Sequence, residues 1–183
     1  MGCPVDFTGL SVSYACGEIA SGGLKAVHLV DKADLIANGS LTLTNNTVAI
    51  TGTGLLTDGC KVLTLGFNNK DAFSNFTDVK TVNADGTSTA VPTIALEFLR
   101  MDATKRNALE KIASPGAEIV AFVETAAGTY HMVGYEFGLY AGTVDGASGA
   151  ARTEKNRYQL TLVGEENVLS YSLDEATFDK VTL

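Results

Sequence analysis

A single mainly β domain is the expectation for this chain, on three grounds. Thr is abundant, Gly is frequent at 19 of 183 residues, and there are only 3 Pro. Thr favours strands, and Gly marks turns and bulges. Hydrophobic residues at 45% against charged residues at 19% exclude a disordered chain and supply one real core. The stretch from Glu118 to Gly164 reads as three or four strands joined by small-residue loops. Within it Glu118–Glu124 is apolar and β-prone, Thr125–Gly128 has turn composition, Thr129–Tyr140 runs back extended, and Arg157–Val163 returns again.

Taken in order, residues 1–23 interleave Cys, Gly, Ser and Asp with single apolar residues. They are expected to form an arm or loop that orders against something else. Leu24–Val30 alternates as a strand, with Leu24, Ala26, His28 and Val30 on one face; both faces are largely apolar, so cover on both sides is expected. Asp31–Ala37 makes one helical turn before Asn38-Gly39 breaks it. Leu41–Thr44 and Val48–Thr51 form a hairpin about Asn45-Asn46-Thr47, since Asn tolerates the left-handed backbone of a short loop.

Lys61–Phe67 is a strand, Asn68–Asp71 a turn and Ala72–Val82 a weaker extended stretch. Asn83–Ser88 is a second turn, and Thr89–Met101 a strand with Pro92 near its start, where a missing donor is tolerated. Asp102–Ala113 is the one convincing helix. Asp102 caps it, Leu109 and Ile112 share a face with Lys105 and Ala108, and Ser114-Pro115-Gly116 stops it. Ala141–Ala151 is expected to be a mobile loop, Gly164–Asp174 a turn and short strand, and Glu175–Leu183 a last strand.

The formal net charge of -8 and pI of about 4.7 exclude nucleic-acid binding through a basic surface. So little charge for so much apolar residue suggests that neighbours cover some of the surface. Cys3, Cys16 and Cys60 have no metal spacing and are odd in number, which points to free thiols in a reducing cytosol, with a Cys3–Cys16 bridge as the alternative. The first residues lack a basic region followed by an apolar one, so no signal peptide is expected. Asp6 in place of Ser or Thr argues against myristoylation. No apolar run approaches the roughly 20 residues of a membrane helix.

Catalytic and ligand chemistry is not legible. His28 and His131 each lie in a strand pattern and read as satisfied, half-buried side chains. No Gly-x-Ser-x-Gly elbow or phosphate loop appears; Gly146-Ala-Ser-Gly149 reads as a loop tip. Glu165 and Glu166 are adjacent and read as a solvated turn, because acid–base pairs must face each other across a substrate. Asp58-Gly59 and Asp85-Gly86 lack the alternating carboxylates of a calcium loop. Tyr130, Tyr135, Phe137 and Tyr140 read as core or interface rather than a base-stacking platform. No catalytic, cofactor-binding or metal residue is assigned, and no enzyme is expected.

Gly134-Tyr-Glu-Phe-Gly-Leu-Tyr140 runs on through Ala141, Gly142 and Thr143, and a small-residue loop leads to Asn156-Arg-Tyr-Gln-Leu-Thr-Leu-Val-Gly-Glu-Glu166. This order resembles the C-terminal half of tail tube proteins of tailed bacteriophages, especially those of Bacteroidetes hosts. Ala15–Val30 is similar to the amino-terminal part of the same group. The resemblance implies two packed antiparallel sheets forming a β-barrel-like sandwich with one flanking α-helix. It implies six copies in a ring, with one sheet of each joined into a continuous inner barrel, and rings stacked through loops and the amino-terminal arm. The partners implied are the chain itself, sheath, baseplate and tail-terminator proteins, and genomic DNA passing through the lumen without specific binding. The location implied is the virion tail, assembled in the host cytoplasm, with no membrane. A negative lumen would let DNA slide.

The candidate inter-subunit loop is Gly142, Thr143, Val144, Asp145, Gly146, Ala147, Ser148, Gly149, Ala150 and Ala151. Deleting it is expected to spare the fold and impair polymerisation. The rival readings are a capsid decoration or adaptor protein and a monomeric carbohydrate-binding β-sandwich, the latter weakened by the absence of Trp.

Overall fold

The computed structural model describes residues 22–66, 74–151 and 153–183. Cys3, Cys16, almost all of the arm expected over residues 1–23, and the turn expected at Asn68–Asp71 lie outside the described residues.

The protein is mainly β. The strands are β1 (Leu24–Asp31), β2 (Leu41–Thr44), β3 (Thr47–Ile50), β4 (Val62–Gly66), β5 (Asn75–Val82), β6 (Ser88–Leu99), β7 (Ile119–Thr125), β8 (Tyr130–Val133), β9 (Leu139–Ala147), β10 (Arg157–Gly164) and β11 (Tyr171–Leu173). They form one hydrogen-bonded sheet in the order β2-β3-β11-β8-β7-β9-β10-β6-β5, with β1 on β7 and β4 on β1. The sheet is mixed, because β11 meets β3 in parallel at Ser172↔Thr47, while the other pairings are antiparallel. It does not close into a barrel: β2, β4 and β5 each have one strand partner among the described residues.

Why the chain bends where it does follows from β7. All but its last residue are buried, so it needs cover on both faces. Ile119, Ala121 and Val123 face a first cluster with Val27 and Leu29 of β1, Ile94 and Leu96 of β6, and Leu160 and Leu162 of β10. Val120 and Phe122 face a second cluster with Val48, Ile50, Leu55, Met132 and Phe178. The apolar doubling seen in β1 has the same cause, and a bulge between Leu24 and Ala26 moves Leu24 to the Val27 face.

Three helices flank the sheet where one helix and a helical turn at Asp31–Ala37 were expected. Asp31 caps α1 (Lys32–Asn38) by accepting from Ala33 and Asp34 N–H, and Leu35 is its buried anchor. Asp102 caps α2 (Ala103–Ile112) through Lys105 N–H, as expected. The last strand expected over Glu175–Leu183 is instead α3 (Glu175–Asp179), capped by Asp174 through Thr177 N–H. Its burial of Thr177 and Phe178 is what fixes it. Phe178 stacks on Tyr130 at 4.9 Å and on His28 at 4.8 Å, so tertiary packing overrides weak local preference.

The hairpin is tighter than expected: Asn45 and Asn46, at φ 51° and 61°, are its whole loop. Thr129–Tyr140 is not one strand. Gly134 and Gly138, at φ 81° and 85°, break it between β8 and β9.

Candidate functional site

The expected loop over Gly142–Ala151 is the main correction. Gly142, Thr143, Val144, Asp145, Gly146 and Ala147 belong to β9, which pairs with β10 from Gly164↔Leu139 to Arg157↔Ala147. Only Ser148, Gly149, Ala150 and Ala151 form a turn, in which the Glu154 carboxylate accepts from Ala150 N–H at 2.5 Å. Gly and Ala have weak β preference, which hid the strand; the strongly patterned β10 supplies its ladder. A register shift opposite Thr161/Leu162 leaves Gly142 as the extra residue of a bulge. Deleting residues 142–151 would take out six of the nine residues of β9, so a loss of stability is expected in place of the spared fold expected for a loop.

These corrections reveal a four-strand limb, β9-β10-β6-β5, with two open borders. On one border, β5 pairs only with β6, from Asn75↔Ala95 to Val82↔Ser88. On the other, β9 meets β7 at the single pair Ile119↔Leu139, so Tyr140–Ala147 has no partner on that side among the described residues. Both open edges are eight residues long. Because each neighbour in the limb is antiparallel, β5 and β9 run in opposite directions.

Such edges template further pairing unless they are short, charged or covered. β5 bears exposed Val79 and Val82, at 58% and 71%, and Tyr140 and Phe137 beside the β9 edge are half exposed. Tyr130 and Tyr135 pack inward, against Phe178 and Tyr171.

One face of the limb packs on the first cluster. The other carries Thr77, Thr93, Thr143, Thr161, Gln159, Asp145 and Arg157 by register, with the apolar Val79, Val91, Val163 and Leu99 among them. Glu97 lies there too, its side chain fully buried, with Lys155 Nζ at 2.5 Å and Arg157 Nη1 at 2.6 Å. Burial alone would raise its pKa, but the bonds from Lys155 and Arg157 outweigh that and hold it below the usual range. This face carries both signs of charge rather than concentrating the acidic surplus. A lone carboxylate in the apolar run Ile94-Ala-Leu-Glu-Phe-Leu99 was the available signal for Glu97, and sequence reasoning missed it.

The remaining candidates are structural in geometry. Nδ1 of buried His28 lies 3.1 Å from Thr64 Oγ1, and burial lowers its pKa. His131 lies within 3.3 Å of Thr129 Oγ1 and stacks on Phe76. Glu165 is exposed, but Glu166 is buried, which corrects the solvated-turn expectation. The Glu166 carboxylate accepts from Glu136 N–H at 3.0 Å and Phe137 N–H at 3.3 Å, pinning the β8–β9 connection. Burial raises its pKa. Asp85 accepts from Thr87 within its own turn, and Asp58 Oδ2 is buried with no hydrogen-bond partner among the described residues. Buried Cys60 is a free thiol. Among the described residues no three His, Cys, Asp or Glu side chains gather as a metal site, and no helix is long and apolar enough to cross a membrane. No protein-family model, curated protein or solved structure matches the chain.

Proposed function

We propose that this chain is a structural protein of a phage tail, whose copies join edge to edge into rings that stack as the tail tube. The observation that carries the reading is the pair of open borders on the limb: equal in length, opposite in direction and on opposite sides of the same sheet. A four-strand limb has the right parity. Placed beside an identical copy, β5 meets the neighbour's β9 antiparallel, so the alternation continues around a ring. Such a contact is heterologous and closes by rotation, which removes the edges altogether.

On this reading the sheet is folded over the first cluster as two packed layers, a β-barrel-like sandwich, and the limb's outer face lines the lumen. Six copies per ring follow from the sequence resemblance. Threonine hydroxyls with ion pairs of mixed sign make a wall that carries no excess of cations to hold DNA phosphates. Passage of the genome then depends on the absence of sticking, not on an overall negative wall. Sheath, baseplate and terminator proteins are the further partners of such a tube.

Sedimentation velocity and negative-stain microscopy of the purified protein test this. Rings or tubes are expected across a concentration series. A strict monomer at the highest concentration, above all one that binds glycans, contradicts it.

A further inference from the structure

A second feature sits beside the open border of β9. A groove of about 330 Å³ runs between α2 and β9, lined by residues that include Arg106, Leu109, Glu110, Val144, Asp145 and Tyr158. Arg106 and Glu110 are exposed, and their side chains have no hydrogen bond or ion pair among the described residues. The groove thus has an apolar floor and a charged rim.

The complementary pattern lies on the opposite border of the same molecule. Along the core-facing side of β5, Phe76 packs on His131, and Asp78 accepts from Ser170 N–H at 2.6 Å. The next two positions on that side, Lys80 and Val82, are exposed and have no polar partner among the described residues. A cation and an apolar side chain, spaced by two along a strand, match a groove that offers the Glu110 carboxylate above an apolar floor.

We propose that the groove between α2 and β9 receives Lys80 and Val82 of a second copy of this chain, and so sets the register of the subunit contact. This rests on the edge-to-edge reading above. Val82 packs on Leu109 and Val144, and the Lys80 ammonium lies beside Glu110. Arg106 makes the fit selective. It lies one helical turn from Glu110, about 6 Å along the axis, while a two-residue slip of the incoming strand moves Lys80 by about 7 Å. A slip toward Arg106 exchanges attraction for repulsion, so the charges select against the wrong register.

A charge-exchange experiment separates this inference from the reading it rests on. Lys80→Glu, Glu110→Lys and the double variant are compared with the unaltered chain by light scattering and sedimentation. All three should melt as the parent does, because both positions are exposed. Each single variant should raise the concentration needed for assembly about tenfold, and the double should return to within about threefold of the parent. Glu110→Gln should give a smaller change in the same direction. If the parent assembles and the single variants match it, or the double fails to recover, the groove does not receive Lys80, while the edge reading stands. If the parent does not assemble at all, the edge reading falls and takes this inference with it.

Discussion

The second hydrophobic cluster and the four-strand limb sit on one sheet yet treat their surroundings differently. Around the cluster, α1, α3 and residues near the C-terminus supply cover from within the chain: Leu35, Phe178 and Val181 close over Val120 and Phe122. The free borders on that side are short, four residues in β2 and five in β4. On the limb, both borders are eight residues long and uncovered by any described strand. Short edges are a common protection against unwanted pairing. Long ones left uncovered among the described residues are, on the reading proposed above, where a second copy joins.

Perturbing the covered region should damage the subunit itself. Phe122→Ala removes a fully buried ring and should cost about 3–5 kcal/mol, read as a lowered denaturant midpoint, with assembly lost because the fold is lost. Glu97→Ala should cost about 2 kcal/mol, since it leaves Lys155 and Arg157 facing a space without their carboxylate. Asn46→Val should cost about 1–2 kcal/mol, because a β-branched residue is strained at φ 61°, whereas Asn46→Gly should be nearly neutral.

A smaller effect is set by pH and separates two buried carboxylates. The Glu97 pKa is held below 4.5, so its contribution is present above that pH and is lost as pH falls through its folded-state pKa. The Glu166 pKa is raised above 4.5, so its penalty is present at neutral pH and is relieved as pH falls through its folded-state pKa toward 4.5. Melting of Glu97→Gln and Glu166→Gln against the parent between pH 3 and 7 should show opposite trends in windows on either side of that value. Parallel trends would refute the assignment. The smallest effect on the subunit belongs to the border. Val79→Glu should leave stability within about 0.5 kcal/mol yet weaken assembly, because it places an unpaired charge in every joined edge.

Much of this is readable in the sequence. The run Leu24–Val30, the Asn45-Asn46 turn and the Asp102 cap each carry a local signal strong enough to place an element, although Thr47 belongs to the strand rather than the loop and Leu24 sits on the Val27 face. What failed was non-local. β9 is a strand because β10 lies beside it, and nothing in Gly142–Ala147 says so. α3 is a helix because Phe178 finds a ring on each side. Glu166 looks like half of a solvated pair until the β8–β9 connection folds over it. The open borders were invisible for the same reason: an unpaired edge is a property of the completed sheet, and a sequence shows strands without showing their neighbours.

Cross-linking between copies puts the central idea to the sharpest test. Val79 on β5 and Thr143, Asp145 and Ala147 on β9 all point from the outer face of the limb. One sample carries Val79→Cys, and others carry a cysteine at each β9 position in turn; they are mixed and oxidised. The account predicts a disulfide-linked dimer with one β9 position and weak or no product with the other two. A ladder of oligomers should form when both cysteines share one chain. Absence of linkage at all three positions, in a sample that still assembles, would show that the copies meet elsewhere and would contradict the account.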